Sequence, residues 1–224
     1  MGRDGGVAAS GVEGVFGCQL FLLGYEQGTF DAAAAALSDL AESQPGLSSW
    51  RALLARAWLE QGREADARAQ FDLLVTDDFA LILRGAAWLA PMVVLAGLAA
   101  AFEDRPSAAI LSERLAPYAG RSAWGDGPGS FGPVDLALGV LARALGSYDD
   151  ATRHFEASAD LCQRMGSPTW LARTMVEWAE TLVLRAAPGD TDRAGELAES
   201  ALRPAEAAGQ TAVVERARAV IGGS

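Results

Sequence analysis

One hairpin-sized pattern constrains this chain more than any other feature, because it recurs along most of the length. Its clearest copy is LGVLARALGSYDDATRHFEAS, Leu138 to Ser158. An apolar helix ends near Leu145, and Gly146 permits a tight turn. Asp149 and Asp150 then open a second helix, where carboxylates favour the positive end of the dipole. Ala151 and Phe155 follow four apart on one face of that helix. The small residue stands where helices must approach closely, the large one where a gap must be filled. Equivalent small residues occur at Ala33, Ala67, Ala108 and Ala194, giving intervals of 34, 41, 43 and 43 residues by subtraction. A single hairpin of this size cannot bury its own apolar face, so a period in this range implies a helical repeat array.

The match around Ala67 is close: Leu54, Gly62, Ala67 and Phe71. Around Ala33 the pattern is Gly28, Phe30, Ala33 and Leu37. The pattern resembles the tetratricopeptide repeat. In the central copy Leu138, Gly139, Ala142, Gly146, Tyr148, Ala151 and Phe155 stand where that family has Leu-Gly, an aromatic or small residue, Gly, Tyr, Ala and an aromatic. The resemblance extends unevenly over roughly residues 14 to 221. Glu103 stands where the turn glycine is expected and Ser112 where the aromatic is, and Ala198 replaces the aromatic in the last copy. It implies an all-α fold: a right-handed α-solenoid of about five helical hairpins plus a closing helix.

Along the chain, residues 1–12 are glycine-rich and unpatterned, and are expected to be a flexible terminus ahead of one repeat domain over 13–224. The expected hairpins pair Val15–Glu26 with Phe30–Glu42, and a helix from Ser48 or Ser49 to about Gln61 with Glu64–Val75. Thr76–Arg84 is a longer connection before the third pair, Ala86–Phe102 and Pro106–Tyr118. Pro106 suits a first helical turn, where its missing N–H does no harm. Ala119–Pro133, AGRSAWGDGPGSFGP, reads as irregular, because glycine and proline crowd it. Trp124 and Phe131 are expected to tuck back against helices. Val134–Leu145 with Tyr148–Met165 is the central pair. A helix opened by Pro168 runs to about Arg185. Its partner starts near Thr191 as cap and is kinked or ended near Leu202 by Pro204. Gln210–Ile221 closes the array, with Glu215, Arg216 and Arg218 as a polar side.

A formal charge of −11 repels phosphate backbones, which excludes direct nucleic-acid binding as an expectation. All 18 basic residues are arginine, and the Ala-, Gly- and Arg-rich composition suggests a high-GC bacterial source. Cys18 and Cys162 lie far apart within helical patterns, and a reduced, cytoplasmic setting is expected. Gly85–Phe102 lacks charge over 18 residues, the length of a membrane span. Its Ala and Gly content and Pro91 favour a buried repeat helix instead. Val15–Tyr25 could be a secretory apolar segment, but Asp4 and Glu13 spoil the basic flank.

Catalytic equipment is sparse, and no cofactor or metal is expected. His154 is the only histidine and reads as a partly exposed helix residue, with no second His for a metal site. Gly125–Ser130 resembles a phosphate loop only superficially, since no strand precedes it and no lysine exists for it. Asp149 and Asp150 point apart and suit a helix start better than acid–base work.

In tetratricopeptide arrays the first helix of each pair lines an inner groove. The resemblance therefore places Arg56, Glu60, Val93, Val140, Arg143, Arg173, Val176 and Glu180 on a concave binding face. Its arginines would either hold a ligand carboxylate in bidentate fashion or pair with neighbouring glutamates. A narrower resemblance rests on LAPYAGR, GSYDDATRHFEAS and RMGSPTWLART. Together they are similar to the carboxy-terminal repeat region of large actinobacterial signalling ATPases, including regulators with a LuxR-type DNA-binding end and cyclase-linked relatives. That resemblance implies a non-enzymatic module of a signalling or transcriptional regulator, attached to ATPase and DNA-binding domains. Its partner would be a protein, a peptide or a small effector. The alternative is a self-association scaffold, a homodimer with no groove ligand; an enzyme is the third reading.

Overall fold

The computed structural model describes residues 4–82, 84–85, 87–125 and 129–223. It is all-α apart from one short pair of strands. In chain order come α1 (Asp4–Gln27), α2 (Asp31–Ser43), α3 (Ser49–Glu60), α4 (Glu64–Phe79), α5 (Leu89–Ala101) and α6 (Arg105–Leu115). A 3-10 turn over Ala116–Tyr118 leads to β1 (Ser122–Trp124) and β2 (Ser130–Pro133). Then follow α7 (Val134–Ala144), α8 (Tyr148–Met165), α9 (Pro168–Arg185), α10 (Asp190–Ala207) and α11 (Thr211–Gly222). The expected class, helical hairpins packed on their sequence neighbours, is what the chain adopts.

The turns explain the hairpins. Gly62, Glu103, Gly146, Gly166 and Gly209 all have positive φ, between 53° and 80°. Each makes the same two backbone hydrogen bonds. At Gly146, its own N–H donates to the Arg143 carbonyl at 2.9 Å and that of Ser147 to Ala142 at 2.8 Å. At Gly62 the acceptors are Leu59 and Trp58, and at Glu103 they are Ala100 and Ala99. These bonds satisfy carbonyls that a helix end leaves without partners. Glycine takes this conformation at no steric cost, whereas Glu103 adopts φ 53° against the Cβ penalty.

Five residues after Gly28, Gly62, Glu103, Gly146 and Gly189 come Ala33, Ala67, Ala108, Ala151 and Ala194. All five alanines are 0–1% exposed. The repeat read from the sequence is thus a repeat of backbone conformation and of close helix approach.

The chain forms two compact units. The first comprises Met1–Tyr25, Thr29–Leu98 and Ala123–Phe131. In it α2 packs on α3 and α3 on α4, around buried Leu37, Leu53, Leu54, Ala67, Phe71 and Leu74. Phe21 anchors an aromatic cluster. Its ring lies 5.9 Å from each of Tyr25, Phe30 and Phe131. α4 runs four residues past the expected Val75. Asp78 and Phe79 end it at φ 54° and 64°, and Phe79 is buried edge-on to Phe71, with ring centroids 6.3 Å apart. Burial of that ring is worth about 2–3 kcal/mol, enough to offset the strain.

The second unit comprises Glu26–Gly28, Ala99–Ser122 and Gly132–Ser224. Here α6 to α11 each pack on the next, and α9 also touches α7 and α11. The first helices α7, α9 and α11 therefore form one layer. Ala172, Val176, Ala179 and Leu182 of α9 share a core with α10 and α11. Ala142, Ala151 and Phe155 form a smaller one.

Several expectations need correction. α1 begins at Asp4, so the stretch read as unpatterned is helical from that residue. Ala119–Pro133 is not wholly irregular, because β1 and β2 pair across it. Glycine and proline bar a helix there but not a tight strand pair. Asp126–Pro128 lie outside the described residues, as do Leu83 and Ala86. Phe131 is buried as expected, but Trp124 is 49% exposed. α10 starts at Asp190 behind Gly189, not at Thr191, and it runs through Pro204 to Ala207. The buried Ala201 and Ala205 hold it across the missing N–H. Both cysteines are buried. Burial pushes the Cys162 thiol up to about 11, despite hydrogen bonds from its neighbours Thr174 and Ser158. α5 is 13 residues long, and no described helix is long and apolar enough to cross a membrane.

Two predictions test the turn rule. Glu103→Gly should stabilise the protein by roughly 1 kcal/mol in urea unfolding, and Gly146→Ala should destabilise it by about 1–2 kcal/mol. A third variant, Gly139→Ala, tests helix approach: its new methyl would sit 2.5 Å from the Phe155 ring. It should cost about 1–3 kcal/mol; an unchanged midpoint would show that α7 and α8 are not held at close range.

Candidate interaction face on the first-helix layer

The polar centre of the second unit lies on α7, α9 and α11. On α9, Arg173, Glu177, Glu180 and Leu184 are spaced by four, three and four residues, so they share one stripe. Arg143 of α7 reaches across to it. One of its terminal nitrogens is 2.6 Å from Glu177 Oε2, and the other is 3.4 Å from Glu180 Oε2. Arg216 of α11 arrives from the other side. Its Nε donates to Glu180 Oε1 at 2.7 Å, and Nη2 donates to Glu180 Oε2 at 2.6 Å and Glu177 Oε1 at 2.7 Å. The Arg216–Glu180 contact is the planar two-bond fork that distinguishes arginine from lysine.

Two arginines thus balance two glutamates. Burial pushes the Glu177 carboxyl up, but Arg216 and then Arg143 outweigh it and hold it at about 2. Burial likewise opposes the Arg216 charge, and Glu177 and Glu180 more than compensate, so its pKa is raised. Carboxylates taken out of water this far require such partners.

The predicted face is distributed as follows. Arg143 and Glu180 are brought together in this network. Val140 is half-buried on α7 and packs against the Ala151–Phe155 core. Val176 is a correction: it is fully buried between α9 and its neighbours and offers no surface. Arg173 lies over the Trp170 ring at 5.8 Å. Its charge also acts on Glu26, whose carboxyl is nonetheless raised by burial and accepts a 2.7 Å hydrogen bond from Gln210. In the first unit, Arg56 pairs with Glu60 one turn along α3 and lies over Tyr25 at 5.4 Å. Val93 is half-buried on α5. Of the two roles open to the arginines, pairing with neighbouring glutamates is the one that Arg56 and Arg143 adopt.

Sequence reasoning missed Glu177 and misassigned Arg216, which is half-buried in the network rather than part of a solvated side. The four-three spacing of Arg173, Glu177 and Glu180 was the available signal for Glu177; nothing local marked Arg216. It also missed the partner of His154. Its Nδ1 lies 2.9 Å from Asp135 Oδ1, and Asp135 Oδ2 accepts from the Gly120 N–H at 2.6 Å. Burial raises the Asp135 carboxyl, but these hydrogen bonds and the imidazole charge win and lower it. The pair ties α8 to the start of α7 and to the turn before β1. Asp149 and Asp150 do serve as helix-start carboxylates, and Asp149 also meets Arg185 at 2.8 Å. Among the described residues no group of three or more His, Cys, Asp or Glu is placed to hold a metal ion.

Residues 25–80 match the tetratricopeptide repeat family. The match spans α2, α3 and α4, one quarter of the chain, and leaves the Leu138–Ser158 hairpin outside it. With the recurring turns and buried alanines, it supports a tetratricopeptide-like domain, a fold that generally mediates protein–protein interaction. No curated protein matches the chain.

The network predicts acid sensitivity of a definite sign. Because the folded-state pKa of Glu177 is depressed to about 2 from an ordinary 4.5, its contribution is present above pH 4.5. It should be lost as pH falls from there towards 2. Glu177→Ala should destabilise by roughly 1–2 kcal/mol at pH 7, since it leaves Arg143 and Arg216 sharing Glu180 alone. The variant's unfolding midpoint should also fall less steeply than the wild type's between pH 4.5 and 2.5. Parallel curves would show that Glu177 is not the group responsible.

Proposed function

We propose that this chain is a non-enzymatic interaction module of a bacterial signalling or transcriptional regulator, and that it binds a peptide segment or small effector on its first-helix layer. The observation that carries the reading is the Arg143–Glu177–Glu180–Arg216 network. It gives α7, α9 and α11 a single continuous face, with Arg173 on the same stripe and Leu184, 58% exposed, at its end. The tetratricopeptide match favours a protein partner. The LAPYAGR, GSYDDATRHFEAS and RMGSPTWLART segments favour a regulator whose ATPase and DNA-binding parts would lie elsewhere, and a cytoplasmic setting follows from that reading.

The test starts from a partner segment identified by cross-linking to the full chain, with affinities then measured by calorimetry. Arg143→Glu combined with Arg173→Glu should weaken binding at least tenfold, as should Leu184→Asp. Arg153→Glu, on the exposed side of α8, should leave it unchanged. Thermal unfolding of each variant separates loss of the face from loss of the fold. Binding indifferent to both groove variants would overturn the proposal.

A further inference from the structure

We draw no further inference here: the strongest candidate, the exposed apolar stripe of Val12, Phe16 and Leu23 along α1, carries nothing because nothing in the structure shows what covers it.

Discussion

Five of the helix-to-helix reversals among the described residues turn on a single left-handed residue. The chain must leave one helix, satisfy its last carbonyls and enter the next within two or three residues. The paired bonds at Gly62, Glu103, Gly146, Gly166 and Gly209 do this in one way each time. Their geometry is set by main-chain atoms, which explains why Glu103 can occupy a position otherwise given to glycine. The cost is about 1 kcal/mol. The helix it launches buries Ala108, Leu111 and Leu115 completely, and each buried leucine contributes about 1.5–3 kcal/mol. Packing therefore outweighs a locally unfavourable residue, and the repeat persists where its signature lapses.

That balance decides how much was legible in the sequence. The helical class, the hairpin spacing and the marker alanines could be read, because a turn glycine followed by a buried alanine leaves a signal in residue type. The strand pair could not. Composition says that Gly120, Gly125 and Pro133 cannot continue a helix, but not that Ser122–Trp124 will find Ser130–Pro133. Pro204 misled in the opposite direction. Local chemistry predicts an end or a kink near Leu202, and the buried alanines around it carry the helix to Ala207.

The polar face was legible only on one side of each contact. Carrying family positions onto α9 selected Val176, but adjacent helix residues point about 100° apart. One is core and the other, Glu177, is the centre of the network. Arg216 illustrates a deeper limit. Its neighbours Glu215 and Arg218 are exposed, and nothing local separates them from it. Its role is set by Glu177 and Glu180, 39 and 36 residues away. Such a pairing is a product of repeat stacking and appears only once the stack exists.

The network would also limit what the proposed binding face could hold. Removing one member leaves a half-buried charge short of a partner, so the network opposes sliding α7 or α11 along α9 by one turn. The four side chains thus specify register between three helices, a use for which apolar packing alone is less exacting. Because they are already balanced, an incoming carboxylate must displace a glutamate and an incoming cation must displace an arginine. Either exchange returns little net energy. A segment held there as proposed would take apolar contact from the exposed Leu184 and orientation from Arg143 and Arg173, whose reversal would repel it.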